Sequence, residues 1–375
     1  MPPSREDQHP AMTVPEPRRV LIATITLAAG TGTAVYTRDL ALALLRRGHL
    51  PIVYATESGP LAAELRYATI PVVTDLDDVA AAPDVIHGHH HLETLAALTR
   101  FPNVPALFVC HDGLTWHSIP PVGPRIRMYV AVDRNCRDRM MFEHAIAEES
   151  IHVLTNAVEL RRFARRSPLP RKPRRALVFS NSAADQPWVE SIRNACESRG
   201  IAVDIGGSAS GRAIDRPEDV LPSYDLVFAK ARRAIEALAI GASVIVCDAQ
   251  GLAGLVTTSM LEAMRQLNFG ARTLRRAITA DSIGAEIDRC DPVDAAAVCD
   301  AIRASADIDL LADQYIDLYD EICAQPYVAG DEMLAVSRSL SRMATHLYAQ
   351  TDGATQSNVL RRIVRRLTSR AGRRR

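Results

Sequence analysis

Short apolar runs alternate with amphipathic stretches along most of the chain. The first run, Val20-Leu-Ile-Ala-Thr-Ile-Thr26, is apolar and β-branched, which suits a strand buried on both faces. It leads into Ala28-Ala-Gly-Thr-Gly-Thr33 and then an apolar-periodic stretch from Tyr36 to Leu45 that stops at Gly48, the pattern of strand, glycine turn and helix. Apolar runs at Pro51–Ala55, Ile70–Val73, Val85–His87, Ala106–Cys110, Tyr129–Val132 and Ile151–Leu154 predict further strands, with helical patterns over Leu92–Arg100 and Arg137–Ala147 between some of them. Alternation of this kind implies a parallel sheet with helices on both faces.

The segment Ser167-Pro-Leu-Pro-Arg-Lys-Pro-Arg-Arg175 breaks the pattern and has the composition of a linker. Beyond it the alternation restarts, with strands expected at Ala176–Ser180, Ile201–Ile205, Asp225–Ala229 and Ser243–Cys247, and helices at Trp188–Ser198 and Ala231–Ile240. A mainly helical region follows from Thr258 to about Tyr319. The expected organisation is a disordered N-terminal tail (1–18), a first Rossmann-like domain (19–166), a linker (167–175), a second Rossmann-like domain (176–330), and a helical C-terminal extension (331–375). A proline-rich hinge between two such domains leaves a cleft at the carboxyl ends of two sheets, where doubly wound folds bind ligands.

Composition narrows the class. The chain has 375 residues, enough for two domains, and 47% of them are hydrophobic, which argues against general disorder. Lys and Arg number 44 against 44 Asp and Glu, so a polyanion such as nucleic acid is not an expected partner. Seven cysteines are scattered without a C-x-x-C, the usage of reduced thiols in a cytoplasmic protein rather than of a disulfide or zinc framework. Neutrality conceals an asymmetry. Val359–Arg375 holds eight arginines and no acid, and without it the remaining chain has 36 basic against 44 acidic residues. Its apolar and basic residues fall on opposite helical faces, which suits three fates: an anionic membrane surface, a solubilising tail, or docking on the acidic body.

Three clusters could carry chemistry. The Gly30-Thr-Gly32-Thr33 turn before a helix offers backbone N–H groups to an anion, although Val35 stands where a dinucleotide fingerprint needs its third glycine. A structural tight turn explains it equally well, and a nicotinamide-binding reading would add Glu57 as the ribose ligand. Six of the eleven histidines, His87, His89, His90, His91, His111 and His117, lie within 31 residues, several at predicted strand ends. They and the nearby Asp112 complete no metal signature, so a metal-free role at the cleft is the preferred reading and no metal is expected. At the start of the helix after Ala229, Lys230, Arg232 and Arg233 oppose the helix dipole, a cost an anion would offset, and Glu236 follows one turn on. The plain alternative is a solvated face with Glu236 paired to an arginine three or four residues earlier. Two D-x-D matches, Asp75-Leu-Asp77 and Asp307-Ile-Asp309, are discounted, the former as a helix cap.

Together these residues resemble the retaining glycosyltransferases of family 4. The resemblance is carried by Gly30-Thr-Gly32-Thr-Ala-Val-Tyr-Thr-Arg-Asp-Leu-Ala, Asp84-Val-Ile-His-Gly-His-His, Pro105-Ala-Leu-Phe-Val-Cys-His111-Asp112, Tyr129-Val-Ala-Val-Asp133 with His152-Val-Leu-Thr-Asn156-Ala-Val-Glu159, and Ala234-Ile-Glu236-Ala-Leu-Ala-Ile-Gly241-Ala-Ser-Val-Ile. It implies the GT-B fold, two Rossmann-like domains with parallel sheets facing a central cleft, here with a basic C-terminal helix. It implies a nucleoside-diphosphate sugar as donor, an acceptor hydroxyl on a glycan, lipid-linked or small molecule, and no required cofactor or metal. Carried over, Glu236 would bind the ribose, His111 would lie beside the transferred sugar, and Gly30 and Gly32 would face the diphosphate. His111, Glu236 and Lys230 are the expected catalytic residues. Thr33, Lys230, Arg232 and Arg233 complete the phosphate site, and His89, His90, Asp112, Asn181 and Phe228 are cleft candidates.

Two departures qualify the expectation. The first glutamate of the family's E-x7-E falls on Phe228, and the family's Gly-Arg after the first strand of the second domain is replaced by Phe179-Ser-Asn-Ser-Ala-Ala-Asp-Gln186. Lys230 and Arg232 are expected to supply the missing charge. A non-catalytic nucleotide binder is the alternative, and a nicotinamide-dependent oxidoreductase a distant third. The expected location is cytoplasmic, peripheral on the inner face of the plasma membrane if the tail binds lipid.

Overall fold

The structure is a computed structural model that describes residues 16–354, apart from 29–30, 185 and 327–329, with the backbone alone over the last ten. Gly30, most of the N-terminal tail and the arginine-rich Val359–Arg375 lie outside the described residues. Seven parallel strands form the first sheet: β1 (Arg19–Thr26), β2 (Leu50–Glu57), β3 (Val72–Val73), β4 (Val85–Gly88), β5 (Ala106–Cys110), β6 (Ile126–Ala131) and β7 (Ile151–Val153). Their order is β3-β2-β1-β4-β5-β6-β7. Val20, Leu21, Ile22 and Ala23 of β1 are fully buried, as a central strand covered on both faces requires. The helices α1 (Gly32–Arg46), α2 (Pro60–Tyr67), α3 (His91–Arg100) and α4 (Arg134–His144) connect them.

The second sheet contains β8 (Arg175–Phe179), β9 (Ala202–Gly206), β10 (Leu226–Ala229), β11 (Ser243–Asp248) and β12 (Gly251–Leu255), in the order β12-β11-β10-β8-β9. Four strands are parallel, and β12 returns antiparallel along β11 as an edge the sequence pattern does not predict. Around it lie α5 (Pro187–Glu197), α6 (Pro217–Val220), α7 (Ala231–Ile240), α8 (Thr258–Arg265), α9 (Ala280–Ile287) and α10 (Pro292–Ser305), followed by α11 (Ile308–Ala324) and α12 (Glu332–Ala354). Both D-x-D matches are helix caps: Asp75 accepts from the Asp77 N–H at 2.9 Å and Asp307 from the Asp309 N–H at 3.1 Å.

The domain boundaries differ from expectation at two places. Phe163 is already buried in the second core, and the Arg174 N–H bonds to Asp225 at 2.8 Å, so the proline-rich segment 167–175 runs along the second domain instead of hinging the two. In the other direction, α11 buries Leu311, Tyr315, Leu318 and Tyr319 in the first core, although the sequence reading places it in the second domain. The chain therefore crosses between the domains twice, at 154–158 and at 306–308. The crossings lie side by side: the Val158 N–H bonds to Ala306 O at 2.9 Å and the Ile308 N–H to Val158 O at 3.0 Å. Both connections between the domains thus pass through one place.

Candidate functional site

Each sheet has one place where the strand order reverses, between β1 and β4 in the first and between β8 and β10 in the second. Ligands of open α/β sheets bind at the carboxyl side of such points. The two meet across a cavity of about 200 Å³. From the first domain it is lined by Thr31, Gly32, Val35 and Arg38 of the α1 entry, with Leu61 of α2; from the second come Phe179 at the end of β8 and Lys230, Ala231, Arg232, Arg233 and Glu236 around the start of α7. Small-molecule sites usually enclose roughly 300–1,000 Å³. The enclosed part therefore suits a diphosphate, with the rest of a larger ligand extending beyond it.

Two helix N-termini face this space. Thr31 caps α1, its hydroxyl accepting from the Ala34 N–H at 3.4 Å, and a Cβ added at Gly32 would meet no atom within 4 Å. Packing does not demand that glycine; its open side is the cavity. On the opposite wall Lys230 is the N-cap of α7 and makes no side-chain capping bond. Ala231, the next residue, is held at φ 52°, a left-handed conformation costly for alanine, with its N–H on Phe269 O at 3.0 Å. Helix geometry leaves the first-turn amides beyond it without intrahelical acceptors. Strain and free amides gather at one cavity edge, an arrangement chemically able to hold an anion.

The three cations of α7 have different fates. Lys230 pairs with Asp248 and keeps 38% side-chain exposure. Arg232 does not wait for an anion, contrary to expectation. It is buried, donating to Glu236 Oε1 at 3.0 Å, to Ala157 O at 3.0 Å and to Asp39 of α1. Asp39 is itself sealed and accepts from Arg38 at 2.6 and 2.8 Å, so one carboxylate joins the two domains. Arg233 has no carboxylate within ion-pair distance among the described residues. Its guanidinium lies over the Phe179 ring, 4.8 Å from the centroid, and burial lowers its pKa against the weaker pull of Glu236. It faces the cavity without an ion pair among the described residues. Burial pushes the Glu236 carboxyl up against the attraction of Arg232, and this i−4 pair is the plain alternative the sequence already allowed.

The histidines of the first domain form a buried chain instead of a metal cluster, and no group of three or more potential ligands is arranged for a metal among the described residues. His111 Nε2 lies 2.8 Å from His89 Nδ1; His89 meets the His87 ring edge-on at 4.6 Å; His87 Nδ1 lies 2.7 Å from the Tyr319 hydroxyl of α11. Tyr36 of α1 packs its ring against His111 at 4.9 Å and bonds its hydroxyl to Tyr315 at 2.6 Å. Burial drives the imidazoles toward neutrality: His87 and His90 to about 3, His111 to about 4, and His89 well below its ordinary value.

Several cleft candidates are corrected by their surroundings. His90 is buried, its Nδ1 accepting from the Ile25 N–H at 3.1 Å, which ties α3 to the end of β1. Asp112 accepts from Leu114 N, Thr115 N and Oγ1, and Ser118 Oγ at 2.5–2.9 Å, bonds that hold its pKa at about 2 against burial and fix its own loop. Asn181 lies at a loop contact, accepting from Ser208 N at 3.3 Å, and does not line the cavity. That loop approaches so closely that a Cβ at Gly207 (φ 151°) would fall 1.9 Å from Ser180 O. Thr33 does not line the cavity; Thr31 does. His111 does not line it either, and Glu57 stands exposed at the end of β2. Phe228 is a core residue, 1% exposed between Ile245 and Val178 on the neighbouring strands.

Residues 30–162 match the sequence model of Glycosyltransferase Family 4. Among solved structures, a glycosyltransferase of Rickettsia africae superposes with a TM-score of 0.62 at 13% identity, covering 83% of this chain and 100% of its own. Anabaena HepE, solved with UDP and with UDP-glucose, superposes at 0.59 and 12% identity, covering 81% of this chain and 100% of its own. No curated protein sequence matches the chain. The chain has the GT-B fold, and its residues 30–162 are like Glycosyltransferase Family 4.

In this GT-B chain the divergence has a structural cause. Counting eight residues back from Glu236 lands inside β10, because the strand passes into α7 with Lys230 alone between them. No loop exists there to present a carboxylate to a sugar. Sequence reasoning also misses Asp39 and Arg38. Their signal was available: two charges in the middle of an apolar-periodic helix, both buried in the structure.

Proposed function

We propose that this GT-B protein transfers a sugar from a nucleoside-diphosphate donor to an acceptor hydroxyl, with retention at the anomeric carbon and without a required metal. The observation that carries the reading is Arg233: a half-buried guanidinium without a carboxylate partner among the described residues, at the start of α7, across the cavity from the α1 N-terminus. A diphosphate would neutralise it and accept from the free first-turn amides. As the glycosidic bond breaks, negative charge grows on the leaving diphosphate, and Arg233, Lys230 and the two helix N-termini stabilise it without reorganising. Lys230 would turn from Asp248 toward the phosphate as the ligand enters. Glu236, with one oxygen given to Arg232, would take the ribose hydroxyls through the other. The likeness to HepE, solved with UDP and UDP-glucose, supports a nucleotide sugar as the donor class.

A panel of nucleotides and nucleotide sugars, followed by thermal shift and calorimetry, tests the reading. A cognate donor at a hundred times its Kd stabilises the protein by about 2.7 kcal/mol. No binding by any nucleoside diphosphate or nucleotide sugar would refute it, and activity that vanished with EDTA and returned with manganese would overturn the metal-free part. The missing loop before α7 favours a second reading, a nucleotide-binding protein without transfer activity. Slow hydrolysis of a bound nucleotide sugar separates the two, since only a site that activates the anomeric carbon releases the nucleoside diphosphate.

A further inference from the structure

The His111–His89 contact contains a choice of proton position that its surroundings decide. One proton lies between His111 Nε2 and His89 Nδ1, 2.8 Å apart. If His111 donates it, the proton of neutral His89 must sit on Nε2, which is buried without any partner. If His89 donates it, His89 Nε2 is bare, and the proton of His111 moves to Nδ1. That atom has no partner among the described residues either, but unlike His89 Nε2 it is not sealed from solvent. A buried N–H without an acceptor is the rarer and costlier defect, so the second arrangement is favoured. The environment fixes the geometry on every side. Tyr36 of α1 braces both rings, His87, itself held by Tyr319 of α11, backs His89, and Asp112 and His117 are the titratable neighbours in the following loop. Asp112 is fully engaged in that loop, and His117 bonds to Thr115 Oγ1 at 3.0 Å, so neither supplies His111 with a competing partner.

We propose that His89 is a positioning residue that holds His111 as its Nδ1–H tautomer, so that the open nitrogen of His111 is a hydrogen-bond donor and not a base. This explains why a row of imidazoles occupies a site where apolar side chains would pack without unpaired nitrogens. Use of that donor by a bound sugar rests on the proposed function, whereas the tautomer is a property of the chain alone and is tested without turnover.

Long-range 1H–15N correlation spectra of the full chain, labelled with 15N-histidine and assigned with His111→Gln, read the proton position directly. The expected result is a protonated Nδ1 and a bare Nε2 on His111 at pH 7.5, unchanged down to pH 5.5. A His111 protonated on Nε2 would overturn the proposal. In His89→Leu, checked for folding by near-UV circular dichroism, His111 should lose the protonated Nδ1 signal as the tautomer preference is released. A folded variant that kept it would show that His89 does not set the tautomer. If the variant fails to fold, the wild-type spectrum still decides whether His111 is the predicted donor. A protein with the expected tautomer but no affinity for nucleotides would retain this inference and lose the functional one.

Discussion

The carboxyl edge of the first sheet is filled with neutral rings, His87, His89, His90, His111, Tyr36, Tyr315 and Tyr319, whereas that of the second sheet carries full charges, Lys230, Arg232, Arg233, Glu236 and Asp248. Neutral polar groups can orient a ligand at little electrostatic cost to the empty site, while charges left in place can stabilise a leaving anion. The two walls must therefore respond differently to pH. His87, His89 and His90 are held neutral in the folded protein but take up protons near 6.5 when unfolded. Their contribution is fully present above pH 6.5 and is lost as pH falls toward the folded values, about 3 for His87 and His90. Each proton taken up only on unfolding lowers stability by on the order of 1 kcal/mol per pH unit in that window. The chain has no histidine between residues 153 and 345. Hydrogen exchange between pH 6.5 and 4.5 should show the first sheet opening while β8–β11 stay protected; uniform opening would break the contrast.

The next largest effect belongs to a buried carboxylate that joins the walls. Asp39 neutralises Arg232 across the domain seam and Arg38 beside it, and all three are buried. Asp39→Asn leaves two sealed guanidiniums short of an anion, a defect that typically costs about 3–5 kcal/mol. Urea denaturation should show that loss. Because the seam is shared, the two domains should also separate more readily, seen as faster proteolysis at the crossings 154–158 and 306–308. A neutral effect would mean that packing, not charge, joins the domains there.

How much of this was legible in the sequence follows from what each signal encodes. The strands of both sheets and α7 were readable because buried parallel strands are continuous apolar runs and the αL residue Gly241 stops its helix. β12 was not, since Gly251-Leu-Ala-Gly-Leu255 lacks both alternation and β-branched residues. The location of α11 was hidden because an amphipathic helix shows that it has a partner but not which one; Tyr315 and Tyr319 pack on His87 of the other domain. The same limit governs the α7 cations. Arg232 and Arg233 are neighbours in sequence but about 100° apart around the helix. Only the position of Asp39 decides that the first is consumed by the fold and the second left for a ligand.

That division gives the sharpest test of the comparison, because it separates binding from stability on adjacent residues. Arg233→Ala removes an uncompensated charge and a contact with Phe179, so stability should stay within about 1 kcal/mol of wild type. Affinity for a nucleoside diphosphate should fall by about 1.5–3 kcal/mol, the range for hydrogen bonds to charged groups, and its salt dependence should weaken. On the neutral wall the corresponding change is Tyr319→Phe, which removes the hydroxyl 2.7 Å from His87 Nδ1. It should cost stability by about 1 kcal/mol and leave nucleotide affinity unchanged, because Tyr319 lies in the first core and not at the cavity. Calorimetric titration beside thermal denaturation measures both variants. If Tyr319→Phe weakened nucleotide binding as strongly as Arg233→Ala, the histidine chain would be coupled to the phosphate site, and the separation between an orienting wall and a charged one would fail.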